Sequence, residues 1–401
     1  MKKKFSFIEM FVGAGGSHLG FKKQGDFQTL LVSDLQEDMC KTFKHNNSDV
    51  PNVIQDDIHN LSGKKILELT GLEKGKLDVI FGGVVCKGFS LAGVRSSSDP
   101  RNELYKKYIN LVKELQPKVA IIENVPGMAS MMIKDGDEFT EDKKRKINEA
   151  WINLQKLNGL KSVIRKGRAS AEQKREAKEI QSKKADYRNL IKEGSMSVIN
   201  DIKLLYNQAG YNVLEPKILD ASHYGSATTR RRLIIIAIRK DLDHTKFEFP
   251  PRKTFNPLTV GEVFKRINYD KEDIDNVPMG HNEKSVRRFK YIPEGGKITD
   301  IMDKLPKELK ISNFYSRGCT MRLSRNKPAP TLVPGHSNFP VHPTEHRSIT
   351  VREAGAIMGF PLNYKFFGSH TSRCEQVGQA VVVQMAEALA NVTANFLKEQ
   401  S

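Results

Sequence analysis

The first 125 residues predict an α/β fold, a parallel sheet crossed by helices, on three observations. Short β-rich runs alternate with helical stretches, each run ends in glycine or a polar residue, and a glycine-rich turn follows the first run directly. The candidate strands are residues 5–11, 29–33, 52–55, 77–81 and 119–123. Open sheets of this kind bind ligands at the carboxyl ends of their strands, so the residues just after each run are where chemistry is expected. Beyond them the composition shifts. From Glu141 to Glu193 there are 16 Lys/Arg against 8 Asp/Glu, few β-formers and no proline. That predicts a Lys-rich helical insertion over about 135–195, a projecting helical pair with Gly159 and Gly167 near its bends. A solvated insertion is the plainer reading of its charge, and a grip on a polyanion the sharper one.

Helix is expected again over 197–209, then β segments over 212–219 and 232–238 as a hairpin-like edge. Pro250, Pro251 and Pro257 mark a boundary. From there to about residue 344 the chain is irregular, basic and rich in turns, which reads as a smaller second domain. Residues 350–397 return to helix, best patterned over 381–397. The expected division is 1–244 with the insertion inside it, 245–344, and 345–401 as C-terminal helices returning to the first domain.

Of 401 residues, 38% are hydrophobic and 28% charged, a globular balance that excludes collagen, low-complexity disorder and membrane bundles. No apolar run approaches the roughly 20 residues that cross a bilayer. The start, MKKKFSFIEMFVGAGG, begins like a signal peptide, but Glu9 interrupts its apolar stretch and glycines follow, so export is not expected. Cys40, Cys86, Cys319 and Cys374 show no CxxC spacing, which excludes a zinc knuckle or disulfide framework and suits a reducing compartment. The formal net charge of +18 suits a polyanionic partner, although a lysine-rich solvated surface gives the same number.

The residues that carry chemistry gather at the strand ends. Phe11-x-Gly13-x-Gly15-Gly16 lies between a strand and a helix, where glycines let backbone approach a ligand and the helix start favours a carboxylate or phosphate. Dinucleotide and S-adenosylmethionine sites share that pattern. The second run ends at Asp34-Leu35, about 20 residues on, where an acid holds ribose hydroxyls. The third ends at Asp56-Asp57-Ile58, where a carboxylate suits an adenine amino group; both acids equally suit helix caps. The fourth leads into Gly82-Gly83-Val84-Val85-Cys86-Lys87-Gly88-Phe89-Ser90. A cysteine there is placed as a thiolate nucleophile, though a lone cysteine is more often a small buried hydrophobe. The fifth ends in Glu123-Asn124-Val125-Pro126, so that a carboxyl group on the adjoining strand completes a pattern of covalent catalysis with acid assistance.

Taken in order, FVGAGGSHLGF, Asp34, Asp57, GGVVCKGFS, DPRNELYKKY, IIENVPGM, YGSATTRRRL, TVREAGAIMGFP and QVGQAVVVQMAEAL resemble the bacterial DNA methyltransferases that modify carbon 5 of cytosine. The resemblance spans nearly the whole chain except the insertion and the middle of the second domain. It implies a Rossmann-like class I methyltransferase sheet with helices on both faces, and a target-recognition domain over 245–344 that reads base edges. S-adenosylmethionine would be the cofactor, with no metal, and double-stranded DNA the partner. A cytoplasmic, nucleoid-associated monomer of a bacterium or phage is expected, with no membrane, in the setting of a restriction-modification system.

Residue by residue, the resemblance places Phe11, Gly13, Gly15 and Gly16 along the cofactor pocket, Asp34 at the ribose, Asp57 at the adenine, and Leu35, Ile58 and Leu104 in the same pocket. Lys87 and Gln379 would flank the transferable group, with Val85 and Ala380 also in the cofactor site. Cys86 would attack carbon 6 of cytosine and Glu123 would contact nitrogen 3. Arg230 and Arg232 would orient the cytosine and support the catalytic loop. Thiolate addition makes carbon 5 electron-rich enough to take the methyl group, and a stacked base must first be flipped out.

Three positions depart from the family: Val85-Cys86-Lys87 stands for Pro-Cys-Gln, Thr228-x-Arg230-x-Arg232 for Gln-x-Arg-x-Arg, and Gly378-Gln379 for Gly-Asn. An ammonium at Lys87 opposes a sulfonium cation and attracts a carboxylate. Transfer of a carboxymethyl group from carboxy-S-adenosylmethionine is therefore a second reading, and a Lys87 directed to DNA phosphate or solvent leaves methyl transfer. The same residues are compatible with a catalytically weak DNA-binding relative and with a tRNA cytosine methyltransferase.

Overall fold

The computed structural model describes residues 4–84, 104–134, 140–165, 167–193, 195–253, 256–311, 318–335 and 339–400. The chain forms two compact units, one of Met1–Val85, Lys107–Asn124 and Tyr206–Ser401, the other of Cys86–Lys106 and Val125–Leu205.

The first unit opens with β1 (Phe5–Met10), α1 (Gly16–Gln24), β2 (Phe27–Asp34), α2 (Glu37–Asn46), β3 (Asn52–Gln55), α3 (Gly63–Thr70) and β4 (Val79–Gly82). Helix α4 (Leu104–Leu115) starts in the second unit and ends in the first, and β5 (Val119–Asn124) follows. These five strands are parallel neighbours in the order β3-β2-β1-β4-β5. β1 stops at Met10 rather than at residue 11, because Phe11 turns into the left-handed region at φ 58°. A bulky side chain rarely adopts that conformation, and where one does a functional constraint is commonly the reason.

The second unit carries β6 (Met132–Lys134), α5 (Glu141–Arg165), α6 (Ala171–Ser182), α7 (Lys184–Glu193), β7 (Ser195–Ser197) and the larger part of α8 (Val198–Gln208). The insertion is thus three helices, not the expected pair. Gly159 lies inside the 25-residue α5, since one glycine costs a helix only about 1 kcal/mol. Gly167, at φ +71°, makes the bend, and Ser170 with Gln173 caps α6 reciprocally. Leu157, Leu160, Ala177 and Ile180 form a small core with Ile164 and Tyr187 against it. Antiparallel β6 and β7 close the base, with Lys134 opposite Ser195.

The chain re-enters the first unit with β8 (Tyr211–Val213), β9 (Lys217–Asp220), β10 (Thr228–Thr229) and β11 (Arg231–Arg239). Here the expected hairpin-like edge is present, as β8 and β9 paired antiparallel with β11, while β11 itself is interior. β11 runs antiparallel between β5 on one side and β8 and β9 on the other, as an interior strand. Its residues 232–238 are buried, and a strand covered on both faces reads as a continuous apolar run instead of an alternating one. The other segment is broken by Leu214-Glu215-Pro216, where proline cannot donate to a ladder. Phe7, Val79, Phe81, Ile121, Ile234 and Ile236 pack on one side of the sheet in the main core, and Ile8, Ile80, Ile122 and Ile235 are buried on the other, giving the expected Rossmann-like sandwich.

Residues 256–343 contain α9 (Val260–Phe264), α10 (Glu283–Tyr291), β12 (Ala329–Pro330, parallel to β10) and single 3-10 turns. Phe289, Ile292, Ile298, Leu305, Leu309 and Val341 make a small cluster of their own, whereas Val260, Phe264, Leu323, Leu332 and Phe339 belong to the main core. The chain ends in α11 (Val351–Ile357), α12 (His370–Gln379) and α13 (Val383–Glu399). By length and composition residues 370–399 would suffice to cross a membrane, contrary to the expectation from the sequence, but 67% of their most apolar window is buried. α13 lies along α1, where Gly20 leaves room for Ala386.

Candidate active site

β1, β2 and β3 are neighbours in the sheet, and Phe11, Asp34 and Asp57 lie at or just beyond their carboxyl ends, Asp57 two residues past the partner of Asp34. Gly13 donates its N–H to Asp34 Oδ2 at 2.9 Å and Gln36 donates to Oδ1 at 2.9 Å, so the carboxylate pins the glycine turn to the end of β2. Burial raises the Asp34 carboxyl, against the lowering effect of these amides. Asp57 caps the turn Ile58–Asn60, accepting from the N–H of His59 at 2.9 Å. Asp57 therefore fills the capping role as well as standing beyond a strand end, whereas α2 is capped by Gln36 and Asp34 instead holds the glycine turn. Leu35 is 63% exposed and Ile58 is buried.

The glycines of the first turn divide by role. A methyl at Gly13 would meet nothing nearer than Met39 Sδ at 3.9 Å, so open space lies over it at φ +55°. At Gly15 a methyl would come within 2.9 Å of the Phe43 ring, and at Gly16 it would run into the carbonyl oxygen of Val381. Gly15 and Gly16 are small because protein packs on them. Tyr364, in the C-terminal segment, donates to the carbonyl of Ala14 at 2.5 Å and braces the turn from outside.

Beneath the turn lies Glu9, wholly buried on β1. Ser17 Oγ donates to its Oε1, and Oε2 has no partner among the described residues. Burial pushes this carboxyl up to about 8, and the charges of Asp34 and Glu123 add to the rise. The sequence showed Glu9 only as a break in an apolar run.

Glu123, on β5, lies opposite Ile234 of β11, and Arg232 Nε donates to Glu123 Oε1 at 2.7 Å. Each side chain is only 10% exposed, so the ion pair is largely desolvated. Burial lowers the Arg232 guanidinium pKa and Glu123 opposes the fall. Gly83 sits where a methyl would lie 3.4 Å from the Phe11 carbonyl oxygen and 4.0 Å from Glu123 Oε2. Phe11 and Glu123 thus converge on Gly83. Asn124 Nδ2 donates to the Val84 carbonyl at 3.3 Å and holds it in place.

Arg230, two residues before Arg232, is committed elsewhere. Its Nη1 donates to the Leu332 carbonyl at 3.1 Å and its Nη2 to the Gly378 carbonyl at 2.9 Å. It ties the start of β11 to the end of α12, where Gly378 lies so close to Pro334 that a methyl would reach its Cα at 2.6 Å. Burial drives the Arg230 pKa well down, with the Arg232 charge second. Thr228 is buried beside it, its hydroxyl donating to the Pro330 carbonyl at 3.3 Å. Gln379 ends α12 and Ala380 caps it.

Leu104 begins α4 in the second unit. Val85, Cys86 and Lys87 lie outside the described residues. Of the other cysteines, burial pushes the thiols of Cys40 up to about 11 and Cys374 to about 12, which unfits both as thiolates at neutral pH. Among the described residues no group of three or more His, Cys, Asp or Glu could hold a metal.

The family described as C-5 cytosine-specific DNA methylase matches residues 5–141 and 187–395. Type II methyltransferase M.PspPI of Psychrobacter sp. (strain TA137) is 30% identical over 98% of this chain and 80% of its own length. M1.HphI of Haemophilus parahaemolyticus is 27% identical over 96% and 85%. A solved DNA modification methyltransferase encoded within an Escherichia coli prophage superposes with a TM-score of 0.60 at 23% identity, covering 98% of this chain and 100% of that one. A DNMT2 variant from Spodoptera frugiperda gives 0.55 at 15% identity, covering 98% and 100%. At those identities the likeness is one of fold.

Proposed function

Because this chain belongs to the C-5 cytosine-specific DNA methylase family, we propose that it methylates carbon 5 of a flipped-out cytosine in duplex DNA through a covalent adduct on Cys86. The observation that carries this is the buried Glu123–Arg232 pair beside Gly83, three residues before Cys86 in the chain. S-adenosylmethionine supplies the methyl group as a sulfonium. The space over Gly13, the carboxylates of Asp34 and Asp57 and the exposed Leu35 fit an amino-acid tail, a ribose and an adenine.

The thiolate of Cys86 adds to carbon 6 of the base, and electron density moves toward nitrogen 3 and carbon 5. Glu123, in its protonated form, donates that proton to nitrogen 3 as the negative charge develops there, leaving a carboxylate paired with Arg232, and takes the proton back when the thiolate is eliminated. Arg232 holds the Glu123 carboxyl in one orientation and supplies positive charge in a largely desolvated site, where it acts strongly. Arg230 is a positioning residue that fixes the segments bearing Leu332 and Gly378. After transfer the carbon 5 proton leaves and the thiolate is eliminated. The net basic charge holds DNA phosphates, and residues 245–344 read base edges. The reading places the enzyme in the bacterial cytoplasm, whether a bacterium or a phage encodes it.

Carboxymethyl transfer would rest on Lys87, outside the described residues, and neither the family nor the relatives support it. The test is trapping on a duplex carrying 5-fluorocytosine, whose carbon 5 cannot release its substituent. Wild type should form a denaturant-stable complex when S-adenosylmethionine is present and Cys86→Ser should not, although both bind the duplex. A Cys86→Ser variant with substantial turnover would overturn the covalent route.

A further inference from the structure

Residues 142–186 fall between the two stretches that match the family, so most of α5 to α7 lies outside what the family shares. The charges of these helices are sorted. Asp142 pairs with Arg145 and Lys146, Glu176 of α6 with Lys156 of α5, and Glu179 with Lys183. Lys184 of α7, by contrast, has Arg188 four residues on along the same helix face, and Lys161 follows Leu160 on α5, whose small core Tyr187 of α7 packs against. Arg188, one turn on, and Lys161 of α5 both lower its ammonium pKa by repulsion, Arg188 more strongly. Lys161 and Arg188 are exposed. Asp186 lies about 200° around α7 from Lys184 and so faces away from this cluster. Like charges four residues apart weaken a helix, so the arrangement opposes the stability of α7 and fits a counter-charge supplied from outside.

We infer that the face formed by Lys161, Lys184 and Arg188 binds backbone phosphates of duplex DNA outside the recognition sequence and regardless of base sequence. This rests on the proposed function in taking duplex DNA as the partner. A duplex carries one negative charge per roughly 1.7 Å of axis, and each phosphate neutralised releases counterions. Three contacts therefore add about 2.7 to the slope of log affinity against log salt.

The experiment is a salt titration of binding to a 40-base-pair duplex, comparing wild type with K161Q/K184Q/R188Q. The slope should fall in magnitude by about 2 to 3, with affinity at 0.1 M salt down tenfold or more. Turnover on saturating DNA should not change, because none of the three residues is placed in the catalytic site. Glutamine relieves the repulsion, so α7 should fold at least as well. K161E/R188E, which puts an acid one turn from Lys184, keeps the test open by lowering affinity further in a helix that is better paired. An unchanged slope in both variants overturns the inference, including the case in which they instead lose binding to duplex RNA or phosphatidylglycerol vesicles. Failure of wild type to bind DNA at all would count against the proposed function, and is read separately.

Discussion

Glu9→Gln should flatten the pH dependence of stability and leave the protein more stable than wild type near pH 8. Glu9 is fully buried, with its carboxyl at about 8 in the fold against 4.5 when solvated. Its folded pKa is raised, so the folded state holds a proton that the unfolded chain releases. The stability from this group is complete below about pH 4.5 and declines as pH rises toward 8. Each pH unit in that window removes up to about 1.4 kcal/mol, so wild type forfeits roughly 3 kcal/mol by pH 7 from this carboxyl alone. Glutamine keeps a carbonyl oxygen for Ser17 Oγ and carries no titratable proton. Urea midpoints of the two proteins from pH 5 to 8.5 provide the assay, since groups common to both, such as the buried His18, cancel in the difference. The proteins should lie within about 1 kcal/mol of each other at pH 5 and differ by roughly 4 kcal/mol by pH 8 in favour of the variant. A difference that stays constant with pH would refute the assignment of a buried, protonated Glu9.

Glu123→Gln should cut single-turnover methylation at least about 100-fold while cofactor binding persists. Glu123→Ala, which leaves Arg232 buried without a counter-charge, should also cost about 3–5 kcal/mol in unfolding free energy. The two neighbouring glycines should separate: Gly16→Ala, with its methyl against the Val381 carbonyl, should lower stability by roughly 1–3 kcal/mol or more. Gly13→Ala, which carries left-handed backbone strain of about 1–3 kcal/mol into open space, should in addition raise the Kd for S-adenosylmethionine measured by calorimetry.

The parallel core of the sheet was legible because each strand is a short apolar run closed by glycine or acid, and those closing residues stand at the strand ends. The position of β11 was not, since Leu233–Ile238 reads the same at an edge as in an interior until its neighbours are known. Gly159 and Gly167 look equivalent in sequence; burial of Leu157 and Leu160 carries the helix through the first, and the left-handed φ places the turn at the second. Asp34, Asp57, Glu123, Arg230 and Arg232 were singled out from motif order, and the structure puts Asp34, Asp57 and Glu123 at or just beyond strand ends and Arg230 and Arg232 at the start of β11. That Arg232 alone reaches Glu123, while Arg230 holds two backbone carbonyls, depends on segments more than 100 residues away. The brace from Tyr364 to Ala14 spans 350 residues and leaves no local trace. Glu9 and Ser17 offered a weak signal, a carboxylate within an apolar strand and a hydroxyl eight residues on, on the following helix.

Nucleoside mass spectrometry of DNA from cells expressing the protein, digested to single nucleosides, tests the central claim most directly. It reports both the atom modified and the group added. Expression of wild type should yield 5-methyldeoxycytidine that is absent from cells expressing Cys86→Ser. Modification at nitrogen 4 of cytosine or nitrogen 6 of adenine, a carboxymethyl group at carbon 5, or equal 5-methyldeoxycytidine from both proteins would contradict it.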